Sequence, residues 1–460
     1  MSGKRIEEDS FGKVEVLDRY YYGAHTQRAL ENFSVSDFKV PFELIRSIAL
    51  IKICAAEVNY ELSNLDEKIY KAIVKAGEEI YEGKLSDNFP LDIFQTGSGT
   101  STNMNVNEVI AGRANEILTG KKGGKSPCHP NDHVNMGQSS NDVIPSAMQI
   151  ACRILLDNLI LELKNLAKTF KVKEREFKGV IKIGRTHLQD AVPMTLAQEF
   201  SGYRSQIESN IKRIKKVYDS LCALPLGGTA IGTGLGAHPE FGKRICEKIS
   251  KRTKIKFREA KNKFEYISSR DCMVELMGAL NTLASSLMKI SNDLRLLSSG
   301  PLAGLNEIEL PTLQAGSSII PGKVNPVIPE MMIQICAFVH GAYNSVVIGS
   351  ETGPLELNMM MPLIAFFTIN SIKILTRGVS ILNEKCLIGI KANKDVCRRY
   401  AEMSLALITP LTKKIGYDLA SKIVLKAKRE KKTLKEMLLE EKILSAKEID
   451  QILDPFKMIK

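Results

Sequence analysis

Tryptophan is absent from the 460-residue sequence, and aromatic residues make up only 6% of it. Its nine cysteines are scattered, with no CxxC pair. This pattern excludes a disulfide framework or a zinc ribbon and indicates buried free thiols in a reducing compartment. No run of 18 apolar residues occurs, and the opening segment MSGKRIEEDS is charged where a secretory signal would be apolar. We therefore expect a soluble, cytoplasmic protein that has no membrane partner.

Motifs for nucleotides and metals are also missing. The stretch GTGLG (232–236) lacks the GxGxxG spacing, and TGSGT (96–100) is followed by no Lys-Ser/Thr pair. His129 and His133 are spaced like the ligands on a zinc-binding helix, but Pro130 argues against a helix at that point. We expect neither a metal nor any other cofactor.

The net charge of +12 raises the question of nucleic-acid binding. The densest basic run is KAKREKKT (426–433), which is followed at once by Glu436, Glu440 and Glu441 and has no aromatic residue for base stacking. This alternation predicts a solvated helix face, so we expect no nucleic-acid partner.

Apolar residues recur at steps of three and four over long stretches, which predicts long amphipathic helices. A helix of about 25 residues is about 38 Å long, longer than a compact domain is wide, so the helices should form an elongated bundle in a mainly all-α protein. The second helix is expected to open at Pro145, because proline is tolerated in a first helical turn. The predicted helices cover Leu44 to Leu62, Met148 to Phe170, Phe200 to Leu221, roughly Met273 to Leu297, and a segment after Pro326.

Polar segments separate these helices, and their Gly, Ser, Thr, Asn and Pro content predicts loops in which functional residues concentrate. The segments are QTGSGTSTNMNVN (95–107), HPNDHVNMGQSSN (129–141), GRTHLQD (184–190) and GSSIIPGKVNP (316–326).

The last of these segments has the most specific chemistry. It combines two hydroxyls, Ser317 and Ser318, with the cation Lys323 and the amide Asn325. Many donors and one fixed positive charge are what stabilising an oxyanion requires. An ordinary capping loop before the next helix remains the alternative, although it leaves Lys323 and Asn325 unexplained.

The pattern GSSxxPxKxNP is the signature of the fumarase/aspartase superfamily, and this sequence matches it at every fixed position. The sequence resembles class II fumarases over essentially its whole length. The further stretches that carry the resemblance are RIEEDSFGKVEV, YYGAHTQRALENF, FQTGSGTSTNMNVNEVI, HPNDHVNMGQSSND, GRTHLQDAVPMTLAQEF, LGGTAIGTGL and IGYDLASKI.

Within the superfamily the leaving group is hydroxide or ammonia. Ser98, Ser140 and NKFE (262–265) resemble fumarases, whereas Leu302 and Asn306 resemble aspartases or an archaeal-like fumarase. The resemblance on balance implies an archaeal-like class II fumarase. Aspartate ammonia-lyase is the alternative, and a catalytically dead structural homologue is a more distant one, disfavoured because every expected site residue is present.

The resemblance implies a three-domain fold, with an N-terminal helical domain at 1–137, a central long-helix bundle at 138–390 and a small helical domain at 391–460. It also implies a homotetramer with a twenty-helix core and active sites shared by three subunits. The implied reaction is the reversible hydration of fumarate to L-malate through an aci-carboxylate, a step of the tricarboxylic acid cycle.

Roles for individual residues follow from the same resemblance. Ser317 is implied as the general base that removes the C3 proton of malate, and Glu330 as the residue that orients and charges His187. The implied substrate-binding residues are Ser98, Thr100, Ser139, Ser140, Asn141, Thr186, Ser318, Lys323 and Asn325.

The segment that opens at His129 resembles the second dicarboxylate-binding segment of fumarases. Its residues are His129, Pro130, Asn131 and Asp132. The arginine usual upstream is missing here, and Lys125 and Ser126 occupy that neighbourhood.

Overall fold

The computed structural model describes residues 3–459, so the first two residues of the charged N-terminal segment and the last residue lie outside it. It confirms the predicted mainly helical class. The helices are α1 (Ala24–Asn32), α2 (Phe42–Glu61), α3 (Glu67–Tyr81), α4 (Thr100–Thr119), α5 (Ser140–Glu176), α6 (Leu196–Lys216), α7 (Tyr218–Leu221), α8 (Phe241–Thr253), α9 (Lys263–Ser268), α10 (Asp271–Leu297), α11 (Val327–Glu351), α12 (Met361–Lys385), α13 (Lys394–Met403), α14 (Thr412–Ile415), α15 (Tyr417–Glu430), α16 (Leu434–Glu440) and α17 (Ala446–Ile452).

Short strands form four two-stranded pairs in the described chain. The pairs β1–β2, β3–β4 and β7–β8 are antiparallel, and β5–β6 is parallel. The strands are β1 (Lys4–Asp9), β2 (Gly12–Leu17), β3 (Ile181–Thr186), β4 (Gln189–Thr195), β5 (Ala223–Leu224), β6 (Arg258–Glu259), β7 (Ile308–Glu309) and β8 (Lys391–Ala392).

The chain divides into two compact units. The first unit comprises residues up to 160 together with 212–284 and 337–376, and the second comprises 161–211, 285–336 and the residues from 377 onward. Helices α5, α6, α10, α11 and α12 each have one part in either unit.

In the first unit, α2 packs against α3 and carries the predicted apolar stripe, with Ile48, Ile51 and Val58 fully buried. A side chain at Gly77 of α3 would meet Ile53 at 2.6 Å, so glycine allows the two helices to approach closely.

The start of α1, in the same unit, depends on a residue from α4. The buried carboxylate of Glu108 accepts the N–H groups that this helix start leaves unpaired, which are those of Gly23, His25 and Thr26.

In the second unit, aromatic rings of α5 and α6 form a cluster in which Phe170 lies 6.0 Å from Phe200 and 5.9 Å from Tyr203. The Tyr203 hydroxyl donates to Asp293 of α10 at 2.9 Å. Aromatic pairs at these distances stabilise the fold by more than the burial of their surface area alone.

A separate small core joins α15, α16 and α17, with Ile423, Leu438 and Ile449 among its buried members. The basic run at 426–433 covers the end of α15 and the turn after it, and Lys432 pairs there with Glu430 and Glu440.

The structure corrects the prediction of a polar loop at 95–107. Helix α4 begins at Thr100, and its side chains Asn103, Asn105 and Asn107 are buried. Asparagine is disfavoured in helix interiors because its side-chain amide competes for the hydrogen bonds of nearby backbone groups. Here the Asn105 amide instead donates to the Asn88 carbonyl oxygen at 3.0 Å, so the tertiary contact removes that competition.

Two smaller predictions, one about α5 and one about the segment that precedes it, were also wrong. Pro145 lies inside α5, in its second turn, because the helix already begins at Ser140. Residues Pro130–Val134 form a π-helical turn with the proline in its first turn, where a missing N–H costs nothing. The His133 ring accepts the His129 backbone N–H at 2.9 Å, so this histidine pair holds the turn together.

Three helices have the length and mean hydropathy needed to cross a membrane, judged by composition alone. They are Ser140–Glu176, Val327–Glu351 and the helical stretch Met361–Gly389. The most apolar stretch of 18 residues in each of them is buried to a different extent. The buried share of this stretch is 72%, 28% and 50%, respectively. Of these three helices, α11 is therefore the one whose apolar stretch is least buried in the single chain.

We predict that none of the nine thiols reacts with an aromatic disulfide reagent while the protein is folded. All nine cysteines are buried, and burial raises the pKa of each thiol, for example to about 12 for Cys54. The thiolate is the reactive form, so both access and ionisation oppose the reaction. Spectrophotometric titration should give no rapid release of the reporter thiolate before guanidinium is added and nine equivalents afterwards.

The control is Lys68→Cys, which places a thiol on the exposed side of α3. This variant should release one equivalent at once. Rapid reaction of the unmodified protein would show that a core segment opens under native conditions.

Candidate active site

Ser98 and Thr100 lie at the N-terminus of α4. Their hydroxyl oxygens are 2.8 Å apart. The backbone there requires glycine twice, because Gly99 has φ of 72° and a side chain at Gly97 would lie 1.9 Å from the carbonyl oxygen of Met359. A helix N-terminus presents unpaired N–H groups and a partial positive charge, so this end of α4 suits a carboxylate.

Ser139, Ser140 and Asn141 lie at the N-terminus of the 37-residue helix α5. The Ser139 hydroxyl accepts the Asn141 N–H at 3.2 Å, as an N-capping side chain does. The Asn141 amide donates to the carbonyl oxygen of Ala230 at 2.8 Å. These bonds fix the start of α5 against the segment that contains Ala230.

The structure brings these two helix ends together in the first unit. The Asn103 amide of α4 donates to the Ser140 hydroxyl at 3.1 Å. A side chain at Gly99 would lie 3.0 Å from Ile144 of α5, closer than an ordinary van der Waals contact, so glycine lets the two helix ends approach each other. The five predicted substrate-binding residues of this unit therefore occupy one region with two converging helix N-termini.

Asp142 organises this region, although the sequence analysis assigned it no role. Its fully buried carboxylate accepts N–H groups from Ser139 at 2.9 Å, Gly227 at 3.1 Å and Thr229 at 2.9 Å. Burial raises the pKa of this carboxyl to about 7, against the backbone hydrogen bonds and Lys52, which lower it. Three backbone donors are the arrangement that stabilises a buried carboxylate.

In the second unit, His187 and Leu188 form the two-residue turn between β3 and β4, where Thr186 pairs with Gln189. Both turn residues have positive φ, 54° and 58°, as a type I′ turn requires. Thr186 and His187 are exposed. The described chain gives the His187 ring no hydrogen-bond or ion-pair partner.

A buried ion cluster anchors this hairpin. Glu307 is fully buried and accepts from Arg185 at 2.9 Å. Lys182 Nζ lies 3.1 Å from the other Glu307 oxygen, as an ion pair whose geometry falls short of a hydrogen bond, and donates to Glu199 at 2.7 Å. The cluster fixes Arg185, the residue directly before Thr186.

The segment 316–326 forms a loop whose two ends are joined by hydrogen bonds among Gly316, Lys323 and Asn325, and we call these joined ends the neck of the loop. Gly316 donates to the carbonyl oxygen of Lys323 at 2.7 Å, and the Asn325 amide donates to the carbonyl oxygen of Gly316 at 2.7 Å. A side chain at Gly316 would lie 2.8 Å from the Asn325 nitrogen, so the neck requires glycine. Inside the loop, the Ser317 hydroxyl accepts N–H groups from Ile319 at 3.2 Å and Ile320 at 3.0 Å.

A cleft of about 920 Å³ lies beside this loop in the second unit. It is lined by the predicted residues Lys323, Asn325 and Glu330, and also by Arg295 and Asn306, for which sequence reasoning assigned no site role. Ser317 and Ser318 are not part of its lining, and the Ser318 side chain is exposed. The lining carries two cations, two carboxylates (Glu309 and Glu330) and amide donors, so an anion would be attracted by the cations and not by the net charge of the cleft.

The second dicarboxylate-binding segment forms its own turn in the first unit. The His129 ring accepts the N–H groups of Asn131 and Asp132, both at 3.2 Å. Burial lowers the pKa of His129, against the carboxylate of Asp132 at 3.4 Å. Asp132 is exposed, whereas Pro130 is buried.

The predicted catalytic residues of the second unit form no hydrogen bonds or ion pairs with one another in the described part of the chain. Neither the His187 ring nor the Glu330 carboxylate has a hydrogen bond or an ion pair among residues 3–459, and the two are not bonded to each other. Within the described residues, the Ser317 hydroxyl is hydrogen-bonded only to N–H groups of its own loop.

Comparison with known proteins gives matches along the whole chain. Residues 12–341 match the lyase family profile, and residues 407–460 match the fumarase C C-terminus profile. The chain is 48% identical over 460 residues to the class II fumarate hydratase of Rickettsia felis, covering all of both chains. It is 45% identical to that of Caulobacter vibrioides, covering all of this chain and 99% of the relative.

Solved structures agree with these matches. The class II fumarase of Schistosoma mansoni has a TM-score of 0.96 at 41% identity, with 99% of both chains covered. A fumarate lyase:delta crystallin of Brucella melitensis, bound to cobalt, has a TM-score of 0.95 at 42% identity and the same coverage. Nothing in these matches supports the archaeal-like variant expected from Leu302 and Asn306.

We predict that Glu307→Gln destabilises the protein by about 3 kcal/mol, because removing one partner of a buried ion pair leaves Arg185 without compensation. Thermal unfolding followed by circular dichroism should show the loss, together with reduced activity from the loosened hairpin. The matched control is Glu208→Gln, which removes an exposed partner of Arg204 and should cost less than about 0.5 kcal/mol. Equal unfolding temperatures for the two variants would contradict the prediction.

Proposed function

As a member of the class II fumarase family, this chain is a lyase that catalyses the reversible hydration of fumarate to L-malate, a step of the tricarboxylic acid cycle, and we propose that the residues described above carry the reaction. Matches at 45–48% identity over the full length support the activity. They do not favour aspartate ammonia-lyase, the alternative that Leu302 and Asn306 had kept open.

We propose that Ser317 is the general base. A serine hydroxyl must become an alkoxide before it can remove a proton from C3 of malate, and hydrogen bonds to the charged form favour that form. The N–H groups of Ile319 and Ile320 already point at the Ser317 oxygen. This pair of donors is the observation that supports the role most directly.

Stabilising the intermediate is the second requirement. Removal of a proton beside a carboxylate places a second negative charge on that group, and the protein must compensate it. Lys323 is exposed, is free of any ion pair among the described residues, and lines the cleft beside the loop. We propose that Lys323 and the loop N–H groups compensate the charge, with Ser318 as a further donor. Asn325 braces the loop neck and lines the same cleft.

The converging ends of α4 and α5 are proposed to bind the substrate. Ser139 and Ser140, together with Thr186 of the hairpin, would hold the carboxylates of the dianion. Ser98, Thr100, Asn141 and His187 would hold the departing water. Two helix N-termini supply positive potential without a metal, so we propose a cofactor-free enzyme.

We propose that the enzyme is a homotetramer in which three subunits build each site. Two observations support this assembly. The apolar window of α11 is only 28% buried, with Ile348 60% exposed, so a large surface needs a partner. His187 and Glu330 have complementary chemistry, but their side chains have no hydrogen-bond or ion-pair partner among residues 3–459, and a neighbouring subunit would supply one. The uncovered helices would then form the twenty-helix core.

Other features of the proposal follow from the family. The domains are placed at 1–137, 138–390 and 391–460, and the protein is proposed to be soluble and cytoplasmic. The segment His129, Pro130, Asn131 and Asp132 is proposed as a second dicarboxylate site. Lys125 stands near it where an arginine is usual, so its affinity for dicarboxylates should be low.

We predict that purified protein converts L-malate to fumarate without added metal or nucleotide, and that EDTA leaves the rate unchanged. Absorbance of fumarate is the measurement. Deamination of L-aspartate should be slower by more than about 100-fold, since a site built around one polar leaving group discriminates strongly against another. Faster turnover of aspartate than of malate would overturn the assignment.

We predict that Ser317→Ala lowers turnover by about 1,000-fold, the range expected for loss of a general base, with little change in affinity for a dicarboxylate inhibitor. His187→Asn should also be nearly inactive. If the two residues reach one site from different chains, dissociating and reassembling an equal mixture restores about a quarter of the sites, because chains combine at random in the symmetric assembly.

Calorimetry and steady-state kinetics measure these outcomes. Ser317→Ala reassembled alone is the control for the procedure. A mixture that regains no activity would contradict shared sites, and a Ser317→Ala variant with near-normal turnover would remove Ser317 from the base role.

A further inference from the structure

Lys52 is a fully buried lysine in the middle of α2, and no carboxylate of residues 3–459 is close enough to form an ion pair with it. Its ammonium group donates to Asn135 Oδ1 at 2.8 Å and to Gln138 Oε1 at 3.0 Å. A buried charge is costly unless it is well hydrogen-bonded, and lysine is seldom buried completely. Both of its acceptors belong to the short segment that leads into α5.

The acceptors are shared by other buried amides. Asn135 Oδ1 also accepts from the amides of Asn103 and Asn107, each at 3.2 Å. The Asn135 amide in turn donates to the carbonyl oxygen of Gln138 at 3.1 Å. Three donors therefore converge on one amide oxygen, and the cation is the strongest of them because it carries a full charge.

This network reaches the proposed substrate-binding residues by two short routes. Gln138 is covalently joined to Ser139. Asn103 donates to Ser140 Oγ with the same amide that donates to Asn135. On the far side, Asp142 holds the Ser139 N–H, so the segment lies between a buried cation and a buried carboxylate.

The charge of Lys52 depends on that carboxylate. Burial lowers the pKa of Lys52 to about 7, and Asp142 opposes the shift. Hydrophobic residues often replace buried charges without loss of stability. A lysine that served only to fill space could therefore be replaced by methionine at little cost to the site.

We propose that Lys52 is a positioning residue for the substrate-binding segment Ser139–Asn141, acting through Gln138 and Asn135. It does not touch the substrate. It fixes the segment in which the two serines present their hydroxyls and N–H groups at the start of α5. The role in catalysis rests on the proposed function of this segment, whereas the positioning itself does not.

The test compares Lys52→Met with Lys173→Met. Lys173 is the matched control, a 94%-buried lysine in α5 that donates to the carbonyl oxygen of Ile390 and to Glu176, away from the predicted site residues. Lys52→Met should raise KM for fumarate about tenfold with a smaller change in kcat, since the substrate-binding segment loses its preorganisation. Lys173→Met should leave KM within about twofold, whatever it does to stability.

Hydrogen exchange provides the second readout. Amide exchange in residues 138–141 should be at least about tenfold faster in Lys52→Met than in Lys173→Met, because local opening becomes easier. This measurement needs no turnover. If the unmodified protein failed to hydrate fumarate, the proposed function would be wrong. The amide exchange rates of residues 138–141 would still test whether Lys52 positions this segment.

Unchanged exchange in Lys52→Met, or unchanged KM in a protein shown to be active, would overturn the proposal. If Lys52→Met does not assemble, Gln138→Met replaces it, since it removes one acceptor and leaves the lysine bonded to Asn135. That variant should show the same rise in KM and in exchange rate, and normal values for both would overturn the proposal.

Discussion

The proposed carboxylate-binding region depends on one interaction, the acceptance of three backbone N–H groups by the buried carboxylate of Asp142. This carboxylate joins the start of α5 to the backbone of Gly227 and Thr229, which a long stretch of chain separates from it. An unpaired buried carboxylate would be expensive, so the fold keeps both segments in place. Because Ser139 and Asn141 lie beside it, the geometry of the proposed site is set by a residue that need not contact the substrate.

The long helices were predictable from sequence because each buries a stripe of side chains, and a stripe shows its period directly. Helix α10 runs from Asp271 to Leu297, within two residues of the predicted bounds. The N-terminal half of α4 was missed for the opposite reason. Asn103, Asn105 and Asn107 look like loop residues until their partners are known, and those partners, such as Asn88 and Asn135, are distant in sequence. When the buried side chains are polar, the sequence shows no periodic pattern of apolar residues from which the helix could be predicted.

The proposed site residues were found by resemblance, and the residues that support them were not. Ser317 and Lys323 belong to a signature, so their positions could be read from the sequence. The resemblance assigned no role to Lys52 or Glu307, and a lone lysine or glutamate in a sequence usually marks a solvated surface. Only their burial and their partners separate them from the other charged residues of the chain.

The loop at 316–326 combines a fixed neck with exposed apolar residues at its tip, and this combination bears on how water is handled in the reaction. The bonds among Gly316, Lys323 and Asn325 hold the neck, whereas Ile319 is 85% exposed. An exposed isoleucine gains by burial, so binding of a dianion next to the loop and closure of the tip over it would favour each other. Closure would exclude bulk water and strengthen the attraction between Lys323 and the developing charge, because that attraction is weakest when solvent screens it. The same movement would carry the Ser317 oxygen, with its two N–H donors, towards the C3 proton that we propose it removes.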